Sequence, residues 1–237
     1  SVAWPTLRCR SASGACSRAR AAAGASRLAR PEATADASGA WSYTFTSANQ
    51  TKLGTSGSVT LTAKATDAAG NAQTAAAATT SFLIDTVAPT IAGISVSGSQ
   101  ILVQFSEVID TNNLPTAARF TVRVAGSIQT VSAVAAVTGK PTQLQLTLSV
   151  TPTSAQTVTV AYTDLTAGDD ATGVVQDLAG NDMASTPTPL NADTFISTAS
   201  VTTLAANYLN LTLTGTAAIN GTGNANANTI KGTSAAN

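Results

Sequence analysis

One five-residue pattern occurs twice in the sequence, as residues 67–71 (DAAGN) and residues 177–181 (DLAGN). Each copy lies between two strand-like runs. Glycine adopts positive φ without strain, and Asn and Asp favour turns, so each copy is predicted to form the tip of a β-hairpin. The chain of 237 residues is long enough for two domains. The recurring turn therefore predicts two β-sandwich domains built around these hairpins.

The residues around the hairpins alternate between apolar and polar, which is the pattern of half-buried strands. In the first half, Trp41, Tyr43 and Phe45 alternate with polar residues, and a second alternating run covers residues 59–66. The second half contains seven short strand candidates, which together predict a sandwich. They are residues 91–96, 101–105, 120–124, 128–137, 144–150, 158–162 and 194–197.

Residues 1–35 have a different composition from the rest of the chain. Six of the eight arginines lie between Arg8 and Arg30, among small residues. A basic arm that binds nucleic acid or membrane, a disordered segment and a shifted reading frame all fit this composition, and we favour the shifted frame. Cys9 and Cys16 could form a disulfide or a metal pair, but the absence of histidine leaves no zinc set.

The remainder of the chain is acidic. From Pro31 onward, six basic residues stand against twelve acids, a net charge of −6. Because binding to phosphates requires clustered Lys and Arg, we expect no nucleic-acid partner. No apolar run reaches the roughly 18 residues of a membrane span, so no span is expected either.

Residues 36–89 resemble the bacterial Ig-like repeats of large surface adhesins. The motifs that carry the resemblance are GAWSYT (39–44), VTLTA (59–63), DAAGN (67–71) and FLIDTVAP (82–89). The resemblance implies an incomplete Ig-like domain that ends in a stiff linker, since Pro89 cannot donate a hydrogen bond and holds Ala88 extended.

Residues 90–199 are similar to an Ig-like repeat of swimming-motility surface proteins. The similarity rests on FSEVID (105–110), on YTD (162–164) and on the second DxAGN turn. It implies a complete Ig-like sandwich of the kind found in large secreted chains.

Residues 200–237 change character again. Leu209, Leu211 and Leu213 alternate with polar residues, and Gly, Asn and Thr then dominate. This stretch resembles the start of a calcium-binding parallel β-roll of the RTX haemolysin type. It lacks the Asp ligands of that motif and has Asn224, Asn226 and Asn228 instead, so we expect a capping turn. A flexible Gly/Asn/Ser tail is the alternative.

Five carboxylates cluster late in the second domain. They are Asp164, Asp169, Asp170, Asp177 and Asp182. A catalytic carboxylate pair, a solvated acidic loop and a partial Ca²⁺ cage are the possible interpretations. Because the chain has no histidine and no sign of a cleft, we expect no catalytic residues and no enzymatic activity.

The topology of a sandwich selects among possible Ca²⁺ ligands. A last strand of roughly 12 residues spans about 40 Å, so Asp67 and Asp85 are expected at opposite ends of the first domain. Asp85 should lie near the Asp177 hairpin, and the two could bind one Ca²⁺ with Asn181 or Asp182. Asp67 would pair with a linker further upstream.

The sequence thus predicts an all-β fold of tandem Ig-like β-sandwiches followed by the start of a parallel β-roll. The most consistent function is a calcium-stiffened stalk segment of a large secreted or cell-surface adhesin. Its partners would be neighbouring repeats and an unidentified cell-surface or matrix ligand. The alternative is a noncatalytic calcium-binding module of a secreted RTX enzyme or toxin.

Overall fold

The fold is taken from a computed structural model in which the chain divides into two compact units, Ser1–Val87 and Ala88–Asn237. The structure describes the second unit up to residue 235, apart from residues 167 and 171. In the first unit it describes the strands given below, residue 71 and residues 86–87, with only some of their side chains.

The described residues of the first unit include six strands, β1 to β6. They are β1 (Leu7–Cys9), β2 (Arg18–Ala23), β3 (Glu32–Ala33), β4 (Trp41–Tyr43), β5 (Ser56–Thr66) and β6 (Ala78–Asp85). One sheet has the order β3-β2-β5-β6, and β1 pairs with β4. In the β5–β6 ladder Ser56 lies opposite Asp85, while Thr66 is at the other end of β5. Asp67 itself lies outside the described residues, so its expected separation from Asp85 stays a prediction.

Three strands fall within residues 1–35, where the sequence analysis placed none. β2 pairs antiparallel with β5, from Arg18 opposite Thr66 to Ala23 opposite Leu61. Pairing of this kind uses main-chain groups, so small residues and arginines can form it. The suggested frame shift stays a hypothesis.

The second unit contains eleven further strands and one 3-10 turn (Ala117–Arg119). The strands are β7 (Ile91–Ser97), β8 (Gln100–Phe105), β9 (Phe120–Val124), β10 (Ser127–Gln129), β11 (Val131–Val137), β12 (Lys140–Leu148), β13 (Val158–Tyr162), β14 (Leu190–Asn191), β15 (Thr194–Ser197), β16 (Asn210–Leu213) and β17 (Thr229–Lys231). The predicted strands 120–124, 158–162 and 194–197 have the observed bounds. The predicted strand 128–137 is two strands, because the chain passes from one sheet to the other at Thr130.

Two sheets form the second unit. One has four strands in the order β10-β9-β13-β14, and the other has seven in the order β11-β12-β8-β7-β15-β16-β17. Alternate residues of the central strands are buried in one core, as period-two alternation predicts. They include Ile101, Val103, Phe105, Val122, Leu144, Leu146, Val158, Val160 and Tyr162. Each such side chain contributes roughly 1.5–3 kcal/mol on burial. The all-β fold class is confirmed.

The last three strands extend the larger sheet in parallel. β15 pairs parallel with β7, β16 with β15, and β17 with β16. Phe195, Leu211 and Ile230 occupy equivalent positions in successive strands. A parallel bridge between Val201 and Gly221 repeats the stacking outside the named strands. Residues 194–231 therefore form two stacked coils, which we call the coil stack.

The coil stack shares its core with the sandwich. Tyr208 is fully buried, packs edge-on against Phe195 with ring centroids 5.4 Å apart, and donates its hydroxyl hydrogen to the backbone oxygen of Gln156. Leu211 and Leu213 belong to the same buried cluster as the sandwich residues. The stretch considered as a flexible tail thus carries strands, whereas a boundary at residue 199 and the start of a β-roll stay predictions.

The coil stack should be sensitive to any side chain at residue 221. A Cβ there would lie 2.8 Å from Leu211 Cδ2 and 3.1 Å from Leu213 Cδ1, which is closer than packed carbon atoms normally approach. We expect Gly221→Ala to lower the free energy of unfolding by about 1–3 kcal/mol, as overpacking of a core does. Chemical denaturation measures the loss. Thr222→Ala, at an exposed neighbouring residue, is the control, and an equal effect of both variants would contradict the packing argument.

Candidate metal-binding loops

The second DxAGN turn is the tip of a tight hairpin. Gln176 and Asp182 form an antiparallel bridge, and Gly180 has a φ of 87°. The Asp177 side chain is only 3% exposed. Its Oδ1 accepts hydrogen bonds from the backbone N–H groups of Ala179 (2.7 Å) and Asn181 (2.9 Å). Asp177 thus organises the turn that the sequence predicts, and it does so as a buried charge satisfied by the turn itself.

Asn181 is the predicted partner that the structure brings directly to Asp177. Its Nδ2 donates to Asp177 Oδ2 at 2.6 Å. An antiparallel bridge between Ile109 and Asp177 holds the turn against the loop that follows β8. Residues far apart in sequence therefore meet at this turn.

Glu107, which the sequence analysis did not select, lies at the same place. A carboxylate oxygen of Glu107 and one of Asp177 are within 4.8 Å of each other. Glu107 lies in the loop that follows β8, two residues before the buried Ile109, and no sequence pattern marks it. Two nearby carboxylates are oxygen ligands of the kind that Ca²⁺ prefers.

The other predicted ligands have different positions. Asp85 ends β6 in the first unit, where its Oδ1 accepts a hydrogen bond from the backbone N–H of Val87 at 3.1 Å. Asp182 follows the hairpin, but its Oδ2 accepts a hydrogen bond from the backbone N–H of Asp170, in the acidic loop after β13. Asp67 lies outside the described residues.

The acidic loop places Asp182 in an unfavourable electrostatic environment. Burial raises the pKa of Asp182, and the nearby carboxylates of Asp170, Asp169 and Asp164 raise it further, against a hydrogen bond that lowers it. Its Oδ1 is buried and has no hydrogen-bond partner among the described residues. Protonation of this carboxyl group relieves both the burial and the repulsion.

Arg119 is the cation that faces this loop. Its Nη1 lies 3.7 Å from Asp164 Oδ1, and its Nε donates to the backbone oxygen of Gly173 at 3.2 Å. Both charged side chains are mostly buried, at 14% and 12% exposure. Because Arg119 forms an ion pair with Asp164 and a hydrogen bond with Gly173, it links both parts of the loop to the start of β9.

The surroundings of Asp110 lower its pKa, whereas those of Asp182 raise the pKa of that residue. Its carboxylate accepts hydrogen bonds from Asn113 Nδ2 at 2.6 Å, from the backbone N–H of Asn112 at 2.9 Å and from Gln176 Nε2 at 3.4 Å. The side-chain bond from Asn113 is the largest cause of a lowered pKa of Asp110. These bonds join the loop after β8 to the strand segment that leads into the Asp177 turn.

Two sequence-family models match the chain, each over about a third of its length. Residues 3–86 match a bacterial Ig-like domain, and residues 84–167 match the SWM repeat, described as a flagellar system-associated repeat. The Ig-like match begins within the arginine-rich segment, well before residue 36, where the resemblance was drawn from the sequence. These matches support Ig-like repeat character. No curated protein sequence matches significantly.

Two solved structures of a bacterial S-layer protein are similar over part of the chain. The N-terminal part of SbsC shares 16% identity over 45% of this chain and 24% of that chain, with a TM-score of 0.35. A longer SbsC fragment shares 17% identity over 42% of this chain and 13% of that chain, with a TM-score of 0.34. These scores are too low to establish a common fold.

The part of the chain that the structure describes contains no helix long and apolar enough to cross a membrane.

The contrasting environments of Asp182 and Asp110 predict opposite responses to pH. Asp182 has a raised folded-state pKa, so its contribution to stability is present below its unfolded-state pKa and is lost as pH rises through the folded value. Asp110 has a lowered pKa, so its contribution is present above its unfolded-state pKa and is lost as pH falls through the folded value.

At neutral pH, Asp182→Asn should therefore raise the free energy of unfolding, because it removes an unfavourable buried charge. Asp110→Asn should lower it by about 1 kcal/mol, because it weakens charge-assisted hydrogen bonds. Denaturation of the full chain at pH 7 and at pH 3 measures both effects. If both variants changed the free energy of unfolding in the same direction at pH 7, the opposite pKa shifts of Asp182 and Asp110 would be contradicted.

Proposed function

We propose that this chain is a noncatalytic, calcium-stiffened stalk segment of a large secreted or cell-surface adhesin. The observation that carries the proposal is the arrangement of the two family matches, 3–86 and 84–167, which follow one another directly along the chain. Ig-like repeats joined in this way space other domains rather than form an active site. A bacterial Ig-like domain and a flagellar system-associated repeat also favour a location outside the cell.

The donor set at the second hairpin suits a calcium ion. Ca²⁺ takes 6–8 oxygen ligands at 2.3–2.6 Å, so two carboxylate oxygens within about 5 Å of each other can share one ion. Glu107 and Asp177 meet that condition. Asp177 has three hydrogen bonds from the turn, and a carboxylate has about four acceptor sites, so one remains for a cation.

In the proposal, Asp85 supplies a further carboxylate and Asn181 an amide oxygen, as the sequence predicts. Backbone carbonyl groups and water would complete the coordination. The ion would neutralise acids that otherwise repel one another, and so would limit motion at residues 85–89. Neighbouring repeats and an unidentified cell-surface or matrix ligand are the proposed partners.

A noncatalytic module of a secreted RTX enzyme or toxin is the second candidate. The parallel ladder β15-β16-β17 favours it, because stacked parallel coils are the repeating element of a β-roll. Further hairpin-and-linker repeats upstream in the gene would favour the stalk, whereas an upstream catalytic domain would favour the module.

Calcium should stabilise the full chain against heat. A ligand that binds only the native state adds about 2.7 kcal/mol at 100 times its Kd. We expect the midpoint of thermal unfolding to be higher in millimolar Ca²⁺ than in chelator. The same scan with Mg²⁺ is the control, because Mg²⁺ demands a tighter octahedral set. An unchanged midpoint in millimolar Ca²⁺ would rule out a structural calcium site.

Single substitutions should locate the ion. Asp85→Ala, Glu107→Ala and Asp177→Ala should each abolish the Ca²⁺-dependent narrowing of the distribution of molecular lengths, which small-angle scattering measures. Asp67→Ala is the matched control, since it removes the same charge from the first DxAGN motif and should leave the response intact. A loss of response in Asp67→Ala equal to that in Asp85→Ala would contradict the proposed site.

A further inference from the structure

We propose that three asparagines hold the coil stack together without a metal ion. Asn224, Asn226 and Asn228, which we call the asparagine clasp, lie in the turn before β17. Their side-chain amides donate to the backbone oxygens of the equivalent turn one coil earlier, residues 205–209. The clasp is independent of the calcium site proposed at the second hairpin.

Asn224 joins the two turns at two points. Its Nδ2 donates to the backbone oxygens of Ala205 (2.7 Å) and Tyr208 (2.9 Å). Its Oδ1 accepts the backbone N–H of Asn226 at 2.9 Å. One side chain therefore binds the turn below and also shapes its own turn.

Asn228 acts in the same way from the other side of the turn. Its Nδ2 donates to the backbone oxygen of Tyr208 at 3.1 Å and reaches that of Leu209 at 3.5 Å. Its Oδ1 accepts the backbone N–H of Asn224 at 2.7 Å. A side chain at residue 223 would overlap Asn228 Oδ1, so Gly223 provides the space that this amide needs.

Asn226 adds a bond at the exposed edge, from its Nδ2 to the backbone oxygen of Ala206 at 2.7 Å. A hydrogen bond of the same kind occurs one coil earlier, where Asn207 Nδ2 donates to the backbone oxygen of Ala192 at 2.7 Å. Ala192 and Tyr208 each lie two residues before the paired Thr194 and Asn210. Asparagine thus bonds to the equivalent carbonyl in both coils.

The chemistry of these contacts requires an amide. A carboxylate has no hydrogen to donate when ionised, so it would set oxygen against carbonyl oxygen at each of these points. The carbonyl oxygens that a cation could use already accept amide hydrogens. The coil stack should therefore need no Ca²⁺ for its own bonding, and a carboxylate in place of one of these asparagines should destabilise it.

Amide hydrogen exchange of the full chain tests the clasp. The Thr229 backbone N–H donates to Leu209 at 2.9 Å directly beside it, and β17 follows. We expect Ca²⁺ to slow exchange over residues 224–231 no more than it slows exchange in β8 and β12, which report on the unit as a whole. Asn228→Asp, which is nearly isosteric, should accelerate this exchange roughly 10- to 100-fold in chelator, the cost of leaving buried acceptors without donors.

Asn220→Asp is the control, because it adds the same charge to an exposed residue of the same stack and should leave exchange unchanged. Asn226→Asp, with one bond at the edge, should have a smaller effect than Asn228→Asp. Exchange in β8 and β12 reports whether the sandwich stays folded in each variant. A Ca²⁺ effect on exchange over residues 224–231 that exceeds the effect on β8 and β12, or unchanged exchange in Asn228→Asp, would overturn the proposal.

Discussion

The parallel pairing of β7 with β15 is the interaction on which the second unit depends. β7 forms an antiparallel pair with β8 on one side and a parallel pair with β15 on the other, so a single strand belongs both to the sandwich and to the coil stack. Because β16 pairs with β15 and β17 pairs with β16, the position of β15 sets that of the two later strands. Tyr208 and Phe195 then close the core beneath them.

Asp177 and Asp110 accept hydrogen bonds from donors in their own loops. Asp177 is bonded by its own turn, and Asp110 by Asn112 and Asn113 beside it. In the asparagine clasp, side-chain amides donate hydrogen bonds to backbone carbonyl groups of the adjacent turn. Asp182 differs from them, because burial and the neighbouring carboxylates raise its pKa.

The sequence predicts the sandwich well because its strands are half-buried. Period-two alternation gives the bounds of β9, β13 and β15, since every buried residue of these strands is apolar. It could not reveal β17, whose three residues are all exposed and whose pairing depends on register with β16. Nor could it reveal Glu107, because a single acid in a loop has no pattern, and only the Ile109–Asp177 bridge brings it to Asp177.

The direction of the strands has a mechanical consequence. β7 is the first strand of its unit, and β15 runs parallel beside it. Tension that enters at the amino end of β7 and leaves beyond the carboxyl end of β15 pulls these two neighbours in opposite directions along their length. Their hydrogen bonds then share the load in shear and must break together, whereas strands pulled apart from one end separate bond by bond. A chain that holds a cell against flow would gain resistance to extension from this arrangement alone.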